Sequence, residues 1–207
     1  MTPHPATKRT TWHRWVPLVF CLPVLIGVLA GVLIMAIAGW RESAARRARR
    51  AHLDSQIADV RDGKTTSIRF PDLETLNDVV EDSELAEELR NLPQLKTIHI
   101  QYTAWWCDDF LECMQGMESL EELTFHGAAP SPEGMRWLGT FPKLRRLACD
   151  QLGITNGVLE QLAALHALEE LDLRGADYGA ENVEKVRKAL PKCKIKADAA
   201  KMAQETQ

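Results

Sequence analysis

The sequence lacks the short motifs that mark common catalytic sites. It has no GxSxG nucleophile elbow, no glycine-rich phosphate-binding loop and no HExxH metal motif. Its six histidines are scattered along the chain instead of forming a cluster. Because no nucleophile, base or ligand set stands at a recognisable spacing, we expect the protein not to be an enzyme and to use no cofactor and no metal.

The cysteines also lack a pairing pattern. The five of them have no spacing typical of a disulfide framework, which agrees with a reducing compartment. The stretch TAWWCDDFLEC (103–113) nevertheless concentrates two tryptophans, two acids and two cysteines. Cys107 and Cys113 are too far apart for the usual zinc-binding pair, which has about two to four residues between its cysteines. A helix N-terminus can activate a thiol, so a thiol-based redox sensor at Cys107 stays open as an alternative.

An excess of positive charge is missing from the chain beyond residue 40. That part carries 29 Asp and Glu against 22 Lys and Arg, a net charge of −7. This balance excludes a nucleic-acid-binding domain on charge grounds. Leucines recur regularly throughout, so the segment is not a disordered acidic tail either.

Charge of either sign is absent from Val16–Gly39, a run of 24 residues flanked by Trp15 and Trp40. A helix of this length is about 36 Å long and could cross a hydrocarbon core of about 30 Å. The sequence therefore predicts a transmembrane helix over 16–40. A cleaved signal peptide is the competing interpretation, since Ala36–Ala38 resembles a cleavage site, but the apolar run is too long for it. Lipidation of Cys21 is disfavoured because the apolar run continues past it.

The residues within and around this run predict a contact between two copies of the helix and its orientation in the membrane. Gly27 and Gly31 form a GxxxG pair, which favours a homodimer through this helix. The positive-inside rule places the C-terminal domain on the cytoplasmic side of the cell membrane, because more basic residues follow the run than precede it. The basic residues are Lys8, Arg9 and Arg14 before the run, and Arg41, Arg46, Arg47, Arg49 and Arg50 after it.

A repeat of 24 residues organises the remaining chain. The pattern L-x-x-L-x-L appears as LEELTFHG from Leu120, LRRLACDQ from Leu144 and LEELDLRG from Leu168. An earlier copy, LKTIHIQY, begins at Leu95, and a decayed one, LPKCKIKA, begins at Leu190. Each pattern predicts a short strand, and the intervening halves PSPEGM and ITNGVL predict a capped helix. One such unit cannot bury its own apolar face, so the units must stack into a solenoid.

This pattern and period resemble the leucine-rich-repeat family. PSPEGM and ITNGVL are similar to bacterial repeats whose second half reads V-T-D-A-G-L. The resemblance implies an α/β solenoid, a leucine-rich-repeat horseshoe fragment with a parallel sheet on the concave face and helices on the convex face, preceded by the transmembrane helix. The implied organisation is a basic tail (1–15), the transmembrane helix (16–40), a charged juxtamembrane helix (41–63), about five repeats (64–196) and a polar tail (197–207).

Alignment of the repeats gives TAWWCDDFLEC a structural interpretation. Cys107 aligns with the predicted helix caps Ser131 and Thr155, and the two acids fall in the first helical turn, where the helix dipole favours them. Trp105 stands in a loop one residue longer than its counterparts. We therefore expect one unit of the scaffold here, with Trp105 as the unassigned feature.

The candidate site is the concave face, which we expect to bind a protein partner that the sequence does not identify. Strand side chains alternate, so the residues between the core leucines form three rows across the sheet. Tyr102 and Trp105 are candidate aromatic anchors in the adjacent loop. The alternative is a structural or envelope protein without a specific ligand, in which the charges only form lateral ion pairs. The rows are Thr97, Glu122, Arg146 and Glu170; His99, Thr124 and Asp172; and Gln101, His126, Asp150 and Arg174.

Overall fold

The computed structural model describes residues 16–101, 107–127, 130–150, 153, 156–176 and 179–198, with side chains from Ala30 onward except those of Asn156 and Ala180. The chain divides into two compact units, Met1–Ala48 and Arg49–Gln207. In the first unit the described residues are helical and belong to α1, which spans Val16–Arg61. The predicted tails 1–15 and 197–207 lie mostly outside the described residues.

The predicted transmembrane helix over 16–40 is corrected by the structure, and with it the single-pass membrane anchor. In the described part of the chain, no helix is both long and apolar enough to cross a membrane. A span needs about 20 consecutive apolar residues. From Ala30, where the described side chains begin, the apolar stretch of α1 ends at Trp40 and is followed by Arg41. The predicted cell-membrane location depends on the same helix and stays a prediction.

The predicted homodimer through Gly27 and Gly31 stays a prediction as well. The surroundings of Gly27 lie outside the described side chains, and a Cβ atom at Gly31 would meet nothing within 4 Å in the single chain.

The second unit is built on a parallel sheet of six strands in sequence order, within the described residues. The predicted α/β class and the parallel sheet are confirmed. Neighbouring strands pair at repeat spacing, so that Ile98 lies beside Leu123 and Leu123 beside Leu147. The strands are β1 (Ser67–Phe70), β2 (Thr97–Gln101), β3 (Glu122–His126), β4 (Arg146–Cys149), β5 (Glu170–Asp172) and β6 (Lys194–Lys196).

Helices connect these strands, and the N-termini of three of them are capped by side chains, those of Asp72, Asp82 and Ser131. Asp72 accepts a hydrogen bond from the Thr75 amide (2.8 Å) and Asp82 accepts one from the Leu85 amide (3.1 Å). Such caps satisfy amides that have no partner within the helix. The helices are α2 (Leu73–Glu81), α3 (Ser83–Arg90), α4 (Cys107–Cys113), α5 (Pro132–Met135) with a following 3-10 helix (Arg136–Thr140), α6 (Asn156–Ala164) and α7 (Ala180–Ala189).

Stacking of the repeats depends on a recurring backbone contact just before each strand. The Thr66 carbonyl accepts hydrogen bonds from the amides of Lys96 (2.8 Å) and Thr97 (3.0 Å) in the next repeat. The carbonyls of Lys96, Glu121 and Arg145 repeat the arrangement. The leucines that open the repeats are buried beside these contacts in a continuous apolar core. Each repeat therefore completes the hydrogen bonding and the core of its neighbour.

The C-terminal part of α1, from Arg49, closes the N-terminal end of this core. Leu53, Ile57 and Val60 are at most 2% exposed. Gln56 also covers the outer edge of β1, accepting from the Arg69 amide (2.8 Å) and donating to the Arg69 carbonyl (3.1 Å). A terminal repeat needs such a cap, because its edge strand would otherwise expose unpaired backbone groups. The predicted juxtamembrane helix 41–63 overlaps this cap, and the second compact unit begins at Arg49.

Candidate interaction surface on the open face of the sheet

The alternation of strand side chains gives the sheet one buried face and one open face. In β2, Ile98 and Ile100 are buried, whereas Thr97, His99 and Gln101 are partly exposed. We call the surface formed by this second set and its counterparts on the other strands the open face. The predicted concave-face residues lie on it or closely follow its strands, and Thr124 is the most buried of them at 7% exposure.

The predicted rows on the open face follow the strand register. Thr97 lies beside Glu122, Glu122 beside Arg146, and Arg146 beside Glu170. The second row runs from His99 through Thr124 and Ala148 to Asp172, and Gln101 lies beside His126.

Ion pairs hold several charged residues of this face. Arg146 Nε lies 2.8 Å from Glu122 Oε2, and this hydrogen bond raises the pKa of Arg146. Arg174 Nη2 lies 2.5 Å from Asp172 Oδ2, and this guanidinium lowers the pKa of Asp172. Glu170 pairs with Lys196. Exposed pairs of this kind stabilise a fold only weakly, so their main effect is to order the side chains of the surface.

Asp150 has a structural role that the sequence did not reveal. Its Oδ1 accepts a hydrogen bond from the amide of Gly127 (2.8 Å), and its Oδ2 lies 3.4 Å from Nδ1 of His126. The same arrangement recurs two repeats later, where Asp198 accepts from the amide of Gly175 (2.8 Å). Both glycines have positive φ angles, 78° and 84°. An aspartate of one repeat thus fixes the glycine turn of the repeat before it, and the spacing of Asp150 and Asp198 is the sequence signal for this role.

Arg69 of β1 also belongs to the open face, although it was not among the predicted residues. It is exposed and is the register partner of His99. Partial burial lowers the pKa of His99, and the nearby charge of Arg69 lowers it further. The alternation in Ser67–Phe70 was the available signal, since it places Arg69 between two buried residues.

The opening of α4 contains Cys107, the candidate redox thiol. Helix α4 begins at Cys107, with Asp108 and Asp109 in its first turn. The Cys107 side chain is fully buried, and burial, followed by the charge of Asp108, raises the pKa of its thiol to about 12. Tyr102 and Trp105, the predicted loop anchors, lie outside the described residues. A buried neutral thiol gives no support to the redox-sensor alternative.

We expect Cys107 to be unreactive in the folded protein, because its thiol is inaccessible and neutral at pH 7. A time course of alkylation by iodoacetamide, read by peptide mass spectrometry, should show Cys107 modified at least about a hundredfold more slowly than in urea-unfolded chain, where its pKa returns to about 8.5. The partly exposed Cys113 is the internal control. Modification of Cys107 at the rate found in the unfolded chain would contradict this environment.

Asp108 connects two repeats through hydrogen bonds with Ser131. Its Oδ1 accepts from the Ser131 amide (3.0 Å), and its Oδ2 accepts from the Ser131 hydroxyl (2.5 Å). Ser131 in turn caps α5 through the Gly134 amide (3.1 Å). Over the described ranges, no group of three or more His, Cys, Asp or Glu side chains is arranged to hold a metal ion. Asp108 therefore joins the first turn of α4 to the residue that caps α5.

Comparisons with known proteins bring no further assignment. No family model and no curated protein sequence matches this chain. Its function is therefore inferred from the residues and geometry of the open face.

Proposed function

We propose that this chain is a leucine-rich-repeat module that binds a protein partner through the open face of its sheet. The observation that carries the proposal is the sheet itself: six parallel strands in sequence order hold polar, partly exposed side chains in register. In leucine-rich-repeat proteins the strands line the inner side of a horseshoe, and such solenoids use that surface for binding.

A catalytic use of this face is less well supported. His126 and Asp150 form a pair that could orient an imidazole base, but Asp150 is also bonded to the Gly127 amide. Within the described chain His126 makes no hydrogen bond to a hydroxyl or a thiol. Nucleophilic catalysis requires a nucleophile within hydrogen-bond reach of its base. Recognition needs only the shape and charge that the face already has.

A structural protein without a specific ligand is the second candidate function. It is favoured by the ion pairs Glu122–Arg146 and Glu170–Lys196, which join neighbouring strands across the face. In that case the charged residues would only stabilise the sheet, and substitutions on the open face would not affect the binding of any partner.

An Ala148→Trp substitution should distinguish these two functions. Ala148 lies in the middle of the open face between Thr124 and Asp172, and its small side chain is partly exposed. An indole there would project from the face and block a partner without removing any ion pair. We expect quantitative capture of partner proteins by the tagged full-length chain to fall about tenfold or more, which corresponds to about 1.4 kcal/mol.

The matched control is Glu160→Trp, which adds the same side chain at an exposed position of α6. It should leave capture unchanged, and both variants should keep the thermal midpoint of the parent chain to within a few degrees. Equal capture by the parent chain and both variants would contradict the proposal and favour the structural role. Asp150 is unsuitable for this test, since its replacement would also remove the bond to Gly127.

A further inference from the structure

We propose that the β1–β2 end of the open face binds an acidic segment of the partner protein, with a carboxylate of that segment held by Arg69 and His99. This inference rests on the proposed function and names the chemistry of the partner. The surface concerned consists of Arg69, His99 and the adjacent His126, and we call it the Arg69 patch.

The Arg69 side chain is available for a ligand while its backbone is fixed. Gln56 of α1 binds both the amide and the carbonyl of Arg69, at 2.8 and 3.1 Å. The guanidinium group, in contrast, makes no hydrogen bond and no ion pair with any residue of the described chain. Its neighbour in the strand register is His99, which brings no negative charge. An exposed cation is thus held on a paired strand, and within the described residues it has no internal partner.

The rest of the open face differs from this patch in its charge balance. Arg146 pairs with Glu122, Arg174 pairs with Asp172, and Lys196 pairs with Glu170. Lys194, at the opposite end, lies beside Glu170 in the register and helps to lower the pKa of that carboxyl. The Arg69 patch therefore carries positive charge that the sheet does not neutralise, next to surfaces where charges are matched.

The histidine beside Arg69 responds to this excess of positive charge. After the effect of burial, the charge of Arg69 is the next cause that lowers the pKa of His99, and His126 of β3 acts in the same direction. Glu122 of β3 opposes them without reversing the shift. A bound anion would reduce the repulsion among these groups. Anion binding is therefore more favourable at this patch than at an isolated arginine.

A carboxylate from a protein fits the patch better than a nucleic acid does. The planar guanidinium forms two parallel hydrogen bonds with a carboxylate, and the imidazole N–H of His99 can add a third. A nucleic acid would meet a chain whose net charge beyond residue 40 is −7. A short acidic peptide segment has to contact only the patch.

Binding should become tighter as the pH falls, because a bound carboxylate favours the protonated form of His99. In the free protein its pKa is lowered by burial and by Arg69, so His99 is neutral at pH 7. A bound carboxylate stabilises the imidazolium and raises that pKa in the complex. The complex then takes up a proton on binding, and affinity rises as the pH drops from 8 to 5.5, where peptide glutamates with a pKa of about 4.3 remain ionised.

The test measures fluorescence anisotropy of a fluorescein-labelled hexaglutamate peptide with the full-length chain at low salt. A hexaglutamine peptide and a twelve-residue oligothymidylate serve as comparison probes. The variants are Arg69→Gln, His99→Gln and, as the matched control, Arg187→Gln, which neutralises an exposed arginine of α7.

We expect hexaglutamate to bind, hexaglutamine not to bind, and Arg69→Gln to weaken binding about tenfold while Arg187→Gln changes it less than twofold. His99→Gln should flatten the rise in affinity between pH 8 and 5.5. Absence of hexaglutamate binding, equal binding by Arg69→Gln and the parent chain, or equally tight binding of the oligothymidylate would each overturn the inference. If Ala148→Trp still abolished partner capture in that case, the proposed function would stand and only the acidic partner would be wrong.

Discussion

Replacing Ile57 with alanine should destabilise the sheet unit by about 2–5 kcal/mol, although Ile57 lies outside the sequence repeats. Ile57 is 2% exposed and packs in the same core as Leu53 and Val60 of α1. Its truncation would leave a cavity at the β1 end of the core, where no further strand follows among the described residues. Because each repeat is stable only through contacts with its neighbours, loosening of the cap should spread to β1 and β2. The measurement is urea unfolding followed by far-ultraviolet circular dichroism.

Ser55→Ala is the matched control for this substitution. Ser55 lies on the same part of α1 but is exposed, so its replacement should change the free energy of unfolding by no more than about 0.5 kcal/mol. An effect of Ile57→Ala as small as that of Ser55→Ala would show that α1 is not part of the cooperative unit. An unfolding curve with two separate transitions would indicate that α1 and the first strands unfold before the rest of the sheet.

The repeat period was sufficient to predict the strands and one of the helix caps. The spacing of Leu120, Leu144 and Leu168 sets the start of β3, β4 and β5, because the same backbone bonds recur before each strand. Ser131 was predicted as an N-cap and accepts a hydrogen bond from the Gly134 amide. These features depend on local sequence, so hydrophobic periodicity and helix-capping rules can predict them.

The same rules did not predict the side-chain contacts between repeats. Asp150 was chosen as a partner-binding residue because it is polar and follows a strand, yet it holds Gly127 from 23 residues away. Which polar side chain turns back onto the neighbouring repeat depends on the path of the turn, and the sequence pattern does not specify that path. Arg69 was missed for a related reason: its significance comes from the lack of an anion opposite it, and only the register shows this.

Helix α1 illustrates a competition between two patterns in one segment. Leu53, Ile57 and Val60 have the spacing of an amphipathic helical face, which favours packing against a core. The arginines that precede them were interpreted as the flank of a membrane span, and no such span is found among the described residues. In the structure Arg49 lies 3.2 Å from Asp78 and Arg50 lies 2.6 Å from Asp82. The charges thus orient the cap on the first repeat.

Gly175→Ala should lower the free energy of unfolding of the sheet unit by at least about 2 kcal/mol. The residue has a φ angle of 84°, and a left-handed conformation costs other residues about 1–2 kcal/mol. A Cβ atom there would also lie 2.9 Å from the Asp150 carbonyl oxygen and 3.3 Å from its Cβ atom. Relief would require the backbone after β4 to move, which would disturb the bond from Asp150 to Gly127.

Two other glycines separate the causes of this loss. Gly116 has a φ angle of 76° but open space around its Cβ position, so Gly116→Ala should show the conformational cost alone, about 1 kcal/mol. Gly139 has open space and no positive φ angle, so Gly139→Ala should be neutral or slightly stabilising. In urea unfolding, the free energy of unfolding should therefore be lowest for Gly175→Ala, intermediate for Gly116→Ala and highest for Gly139→Ala. Equal losses at Gly175 and Gly116 would mean that the approach of Asp150 relaxes without cost, and that the turns of neighbouring repeats are not packed against each other.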